Sequence, residues 1–222
     1  MTAESARLKL HRMGWWLAPP RCPLCGRPVL PRQLCADCAP LLKRLELGQR
    51  PSPPEGVDRL YCGWRYRDPV QAAILRMKFG HRPALGENLV LALFSRQDFY
   101  TFAAEFDIII PIPSTAKERR GRGYDVPRLL GRGIWAACGL PLAPADTLQK
   151  IRETRRQVDL DGEQRRANLR GAYGVQRAQL VEGKAVLLVD DVTTTGSTLT
   201  EAARALRQAG ARYVGAVTLA TA

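Results

Sequence analysis

The chain has 222 residues, 45% of them hydrophobic, enough for one sizeable core and too many for a disordered polymer. Lys and Arg total 34 against 21 Asp and Glu, a net charge of +13. That surplus favours polyanionic partners, nucleic acid or phosphorylated metabolites, unless it is simply a solvated basic surface. No apolar run is long enough for a membrane span. The stretch Met13-Gly-Trp-Trp-Leu-Ala18 is too short for a signal-peptide core and is followed by Pro19 and Pro20, so a cytoplasmic location is expected.

In chain order, residues 1–20 carry a short helix with Leu8, Leu10, Met13, Trp16 and Leu17 on its apolar side, stopped by proline. Two cysteine pairs follow in 21–40. The stretch Gly48-Gln-Arg-Pro-Ser-Pro-Pro-Glu-Gly56 reads as an irregular linker. It divides an N-terminal module, 1–47, from a larger domain, 57–222. Residues 59–66 read as a strand. Residues 70–79 have helical spacing, with Val70, Ile74, Met77 and Phe79 on one face. A second helix covers 84–96, and the β-branched run Asp107-Ile-Ile-Ile-Pro-Ile112 suits a buried parallel strand. A helix near 124–138, a short strand near 142–147 and a polar stretch over 149–170 come next. A strand at 185–189, a helix at 197–209 and a strand at 213–219 complete the pattern. Alternating strands and helices predict an open α/β sheet.

Cys22-Pro-Leu-Cys25 and Cys35-Ala-Asp-Cys38 supply four soft ligands at spacings that suit one tetrahedral Zn²⁺. A segment this short has no core of its own, so the metal would supply its folding free energy. Four thiolates leave no open position, which makes the zinc structural. An iron–sulfur cluster also uses four cysteines, but nothing in the sequence points to redox chemistry. Cys62 and Cys138 read as small buried hydrophobes, and His11 and His81 receive no role.

The most informative stretch is Val186-Leu-Leu-Val-Asp-Asp-Val-Thr-Thr-Thr-Gly-Ser-Thr198. An apolar strand runs into two adjacent carboxylates, and a loop of hydroxyls and one glycine leads into a helix. Ligands of open α/β sheets sit beyond the carboxyl ends of the strands. The helix N-terminus and loop amides there favour an anion. Carboxylates beside a phosphate cradle make sense for a phosphorylated sugar, whose hydroxyls need acceptors, and they can hold Mg²⁺. An ordinary strand–turn–helix with an aspartate cap would explain one acid and one threonine, not the whole motif. No Gly-x-x-x-x-Gly-Lys-Ser/Thr occurs, which excludes a kinase-type phosphate loop.

These residues resemble the 5-phosphoribosyl-1-pyrophosphate (PRPP) signature of the type I phosphoribosyltransferases. The resemblance implies an open parallel sheet of that kind, with Asp190 and Asp191 on the ribose hydroxyls. Thr193, Thr194, Thr195, Gly196, Ser197 and Thr198 would take the 5′-phosphate. Thr194 stands where purine-salvage members carry an aspartate, which argues against a 6-oxopurine acceptor. In the same way Ile110-Pro-Ile-Pro-Ser-Thr-Ala-Lys117 takes the place of the pyrophosphate loop, with Ser114, Thr115 and Lys117 as donors and Arg119 and Arg122 near. Its alternative is a proline-rich turn followed by a solvated basic run. If the chain is catalytic, Asp190, Asp191 and Lys117 are the expected catalytic residues, and a nucleophile displaces pyrophosphate at ribose C1.

The order of the four-cysteine module, Lys78-Phe-Gly80, Ile-Pro-Ile-Pro and the PRPP motif resembles the competence protein ComF family, a zinc ribbon joined to a phosphoribosyltransferase domain. Arg152-Glu-Thr154, Gln157, Arg165-Arg166-Ala-Asn168 and Gly171-Ala-Tyr173 extend the match, in a stretch that implies a mobile loop. The family shows Arg-Gly-Phe-Asn-Gln where this chain has Arg122-Gly-Tyr-Asp-Val126, so altered hydrogen bonding is expected near the acceptor. Any hood over the site would come from 57–105, with 106–222 as the core. The expected partners are PRPP with Mg²⁺, an acceptor not yet identified, and nucleic acid through the basic surface. A non-catalytic PRPP- or nucleotide-sensing protein associated with DNA use is the alternative function.

Overall fold

The computed structural model describes residues 21–22, 24–30, 34–50, 52–80, 83–94, 96–152 and 170–222. The expected N-terminal helix over 1–20 and most of the expected mobile loop, 153–169, lie outside the described residues. Seven strands and seven α-helices are described: α1 Cys38–Arg44, β1 Glu46–Arg50, β2 Arg59–Arg65, α2 Val70–Phe79, α3 Ala84–Phe94, α4 Gln97–Ala103, β3 Ile108–Pro111, α5 Ala116–Arg122, α6 Val126–Cys138, β4 Leu148–Lys150, β5 Tyr173–Val175, β6 Ala185–Thr193, α7 Ser197–Gln208 and β7 Tyr213–Thr221.

The main sheet has the order β1-β2-β7-β6-β3. Four of its strands run parallel, and only β1 is antiparallel, pairing with β2 through Glu46↔Trp64 and Arg50↔Leu60. A separate antiparallel pair joins β4 to β5. The buried parallel strands are apolar on both faces, as the run Val186-Leu-Leu-Val189 requires. Leu187 and Val189 face one core with Val70, Ile74, Met77, Leu89, Leu130 and Ile134, beneath α2, α3 and α6. Val186 and Leu188 face the other, with Leu199, Ala202, Leu206 and Tyr173, beneath α7 and the β4–β5 pair.

Several expectations are corrected. Gly48, Gln49 and Arg50 lie in β1, so the expected linker begins within the sheet; they are in register with Cys62, Tyr61 and Leu60 of β2. The helix expected over 84–96 ends at Phe94, and α4 starts anew after Arg96, whose backbone is extended (φ −98°, ψ 120°). No strand forms over 142–147; Leu142 makes only an isolated bridge to Ile109, flanked by Pro141 and Pro144, which offer no amide to a ladder. Phe79 is 65% exposed rather than packed with Val70, Ile74 and Met77, because at about 100° per residue it falls on the opposite side of the helix from that stripe.

The cysteine segment is not a loose appendage. Cys22, Leu24, Cys38 and Leu42 belong to the same core as α2 and α3, and the Arg76 guanidinium donates to the Leu24 carbonyl and, through Nε, to Ala72.

Candidate functional site

Strand β6 carries its pairing past the apolar run to Thr193, so Asp190 and Asp191 are strand residues at its carboxyl end, opposite Thr218 and its neighbours on β7. Successive side chains on a strand point to opposite faces. Asp191 therefore shares the face of Leu187 and Val189, where its Oδ1 lies 2.6 Å from Lys78 Nζ. Asp190 shares the face of Val186 and Leu188; its Oδ1 accepts the Asp191 amide at 2.8 Å. Burial, then the adjacent Asp191, push the Asp190 carboxyl up to about 8, against the pull of that amide and of Lys78. Tyr173 on β5 is raised as well, by burial first and then by Asp190 and Glu118.

Beyond Thr193 the chain turns through Thr194, Thr195 and Gly196. Gly196 sits at φ 75° as the N-cap of α7, a left-handed conformation that favours glycine. A Cβ there would lie 2.5 Å from Pro54 Cγ, so the connector after β1 packs directly on the loop. The Thr195 and Ser197 hydroxyls are 2.8 Å apart. Thr194 and Thr195 are exposed, Ser197 is buried and Thr198 half-buried. The loop thus presents hydroxyls and the N-terminal amides of α7 immediately beside the carboxylate pair.

The second expected loop is a helix start. Thr115 caps α5 in a reciprocal capping box: its hydroxyl accepts the Glu118 amide at 3.2 Å, and its own amide donates to Glu118 Oε2 at 2.8 Å. Burial alone would raise the Glu118 carboxyl, yet the Thr115 amide and hydroxyl, with Arg122 and Lys150, hold it below its ordinary value. The Ser114 amide donates to Asp125 Oδ2 at 3.2 Å. Lys117 is exposed on the first turn of α5. It makes no ion pair among the described residues, and no contact joins it to Asp190 or Asp191.

Asp125 and Val126, where the chain departs from the family pattern, have structural work. Asp125 caps α6 by accepting the Arg128 amide at 3.2 Å, and Val126 is fully buried. Sequence reasoning missed Lys78 as a site residue. Its signal was available, a cation in the last turn of a helix ending in Lys78-Phe-Gly80, but helix periodicity says nothing about which strand end it reaches.

The four sulfurs of Cys22, Cys25, Cys35 and Cys38 lie within 4.8 Å of one another, with Cys25 and Cys35 Sγ 3.6 Å apart. Tetrahedral zinc with bonds of about 2.3 Å places its sulfurs about 3.8 Å apart, so the donor set and its spacing fit the ion. Gly26, at φ 80°, makes the turn of the first knuckle, and its amide bonds to Cys22 O at 2.9 Å. Burial works to raise the Cys22 thiol, but the amides of Cys35, Cys25 and Leu24 bring it down to about 7. Cys38 is raised, by burial and then by its three neighbours. At the other site, two carboxylates at a half-open strand end offer the oxygen donors that Mg²⁺ prefers.

The sheet is open and mostly parallel, with an acidic pair and a hydroxyl loop at one strand end, and residues 142–222 match the phosphoribosyl transferase domain, so the chain carries a domain of phosphoribosyltransferase type. Relatives extend over most of the chain. The DNA utilization protein YhgH of Escherichia coli O157:H7 is 30% identical over 199 residues, covering 87% of this chain and 80% of that protein. Competence protein F of Haemophilus influenzae is 29% identical over 200 residues, 88% of this chain and 82% of that one. Competence protein ComFC of Bacillus subtilis is 25% identical over 193 residues, 85% and 72% respectively. The chain belongs to the ComF family of competence and DNA-utilization proteins. Among the described residues no helix is long and apolar enough to cross a membrane.

Proposed function

We propose that the protein binds PRPP with Mg²⁺ at the carboxyl end of β6 and, given an acceptor, transfers the phosphoribosyl group with release of pyrophosphate. The observation that carries this reading is the junction itself: Asp190 and Asp191 end a buried parallel strand and run through left-handed Gly196 into α7. The carboxylates accept from the ribose hydroxyls. Thr194 to Thr198 donate hydroxyls and amides to the 5′-phosphate at the α7 N-terminus. On this reading Thr115 must exchange its cap contacts for the pyrophosphate, and Ser114 and Lys117 add donors. Bound at the carboxylates, magnesium supplies charge neutralisation of the leaving group. The chain's own part is to hold the sugar for in-line attack at C1 and to meet the developing charge with fixed donors.

Calorimetric titration of PRPP with Mg²⁺ tests the site. Binding by the wild type should weaken by about 100-fold or more in Asp190→Asn/Asp191→Asn, since two charge-assisted acceptor sets are lost, with the fold intact by circular dichroism. A wild type that does not bind PRPP sinks the reading. In that case a nucleotide-sensing or DNA-associated role comes forward, favoured by the net charge of +13 and by relatives named for DNA utilization and competence. DNA binding by the full chain that falls steeply with salt would support it.

A further inference from the structure

Lys78 is the one cation among the described residues that makes an ion pair with the acidic pair, and the way it is held sets it apart from a chance surface contact. It leaves the last turn of α2, where a positive charge also suits the helix C-terminus. The residues on either side of it are fastened. The Tyr124 hydroxyl donates to the Met77 carbonyl, and the Arg122 guanidinium lies 5.5 Å over the Phe79 ring. The helix then stops at Gly80, whose amide bonds to Arg76 O at 2.8 Å and where a Cβ would lie 2.6 Å from that same oxygen. A backbone fixed in this way delivers the lysine stem to one place. There the ammonium meets Asp191 Oδ1 at 2.6 Å, with the lysine side chain 19% exposed and the aspartate 9%.

An ammonium at this position competes with whatever else Asp191 is to hold. A bare divalent cation approaching the pair must either displace Lys78 or sit beside a positive charge. A sugar pyrophosphate carries several negative charges with its metal, so the ammonium it displaces has an anion to turn to. The flexible four-carbon stem permits that movement while α2 stays in place.

We propose that Lys78 is a positioning residue that occupies Asp191 in the ligand-free protein and makes capture of a divalent cation depend on the sugar pyrophosphate that accompanies it. The proposal rests on the functional reading above and deepens it: the site selects the metal–pyrophosphate complex over the free metal because its resident cation must be exchanged.

The test reads metal affinity rather than turnover. Mn²⁺ alone is titrated into the zinc-loaded full chain, and the free-ion signal is followed by electron paramagnetic resonance. Wild type should bind it weakly. Lys78→Met should bind it roughly tenfold or more tightly, because a unit charge about 4 Å away no longer opposes the ion. Lys78→Arg, which keeps the charge, should stay near wild type. The gain should vanish in Lys78→Met/Asp191→Asn, which ties it to this carboxylate. With Mg²⁺ and PRPP together, Lys78→Met should lose affinity, so the preference for complex over free metal narrows in both directions. Equal Mn²⁺ affinity in wild type and Lys78→Met, both folded by circular dichroism, would overturn the proposal, as would a gain that survives Asp191→Asn. A wild type that binds no PRPP would sink the functional reading and with it the ligand dependence proposed here, while the Mn²⁺ comparison would still decide separately whether Lys78 holds Asp191 against a metal.

Discussion

At the scale of single residues, Asp190 sits in surroundings that disfavour its charged form. Its carboxyl is raised from 3.8 to about 8 by burial and by Asp191. The folded protein therefore binds this proton more tightly than the unfolded chain does. Between those two pH values stability should fall as pH rises, the opposite of an ordinary ion-paired aspartate. Denaturation midpoints measured over pH 5 to 8 without added magnesium should show that decline, and Asp190→Asn should flatten it. Asp125 makes a contrasting case. Its side chain accepts the amides of Arg128 and Ser114, so Asp125→Ala should cost about 1 to 2 kcal/mol in chemical denaturation. Asp125→Asn should cost less, about 0.5 to 1 kcal/mol, because its one amide oxygen keeps the Arg128 cap while its NH2 cannot accept the Ser114 amide. Gly196 admits no side chain: Gly196→Ala meets both a left-handed φ of 75° and the Pro54 ring. It should lower stability by about 1 to 2 kcal/mol or more.

At the scale of elements, the strand that carries the acids was legible because a buried parallel strand leaves an unbroken apolar run. Its last residues were not, since polar side chains that continue a ladder look like loop. Helices α2, α6 and α7 were legible from their apolar periodicity and from Gly80, Gly139 and Gly196 at their ends. Helix α5 was missed although Thr115-Ala-Lys-Glu118 is a capping-box sequence; its lack of any buried residue removed the periodic signal. The break between α3 and α4 is set by tertiary contacts of Arg96, which donates to Gly63 O at 3.1 Å and lies 5.3 Å over the Tyr61 ring. No local pattern announces such a partner. Tyr124 joins elements in the same long-range way. Tyr124→Phe, the residue the family pattern shows there, should cost about 1 kcal/mol through loss of the bond to Met77 O, measurable as a lowered urea midpoint.

At the scale of the whole molecule, the cysteine cluster, α2 and the acidic edge form a continuous packed path. Leu24 and Leu42 lie in the core with Ile74 and Met77, and Arg76 reaches the Leu24 carbonyl. The sequence predicted the ligands from spacing, yet the knuckle's docking on α2 lay beyond it, because contacts 52 residues apart leave no mark on local composition. Removing the metal should therefore be felt outside the module. With a strong chelator, hydrogen exchange should rise in 21–45 and then in α2, while β6 and β7 at the sheet centre stay protected. Protection of α2 unchanged after metal removal would show that the docking contributes nothing to its stability.

The contact of Pro54 with Gly196 bears on how this chain tolerates changes of length. The stretch richest in proline looks like a spacer, the sort of segment that accepts inserted residues without consequence. Here its length is fixed from both ends. β1 is registered on β2 before it, Val57 is buried after it, and between them one proline ring covers the loop at the head of α7. Insertions should be absorbed at the turns around Gly123 and Gly139, where a side chain would meet open space. One added residue between Arg50 and Pro54 would lift that ring from the loop, so this connector should be among the least extensible segments of the chain.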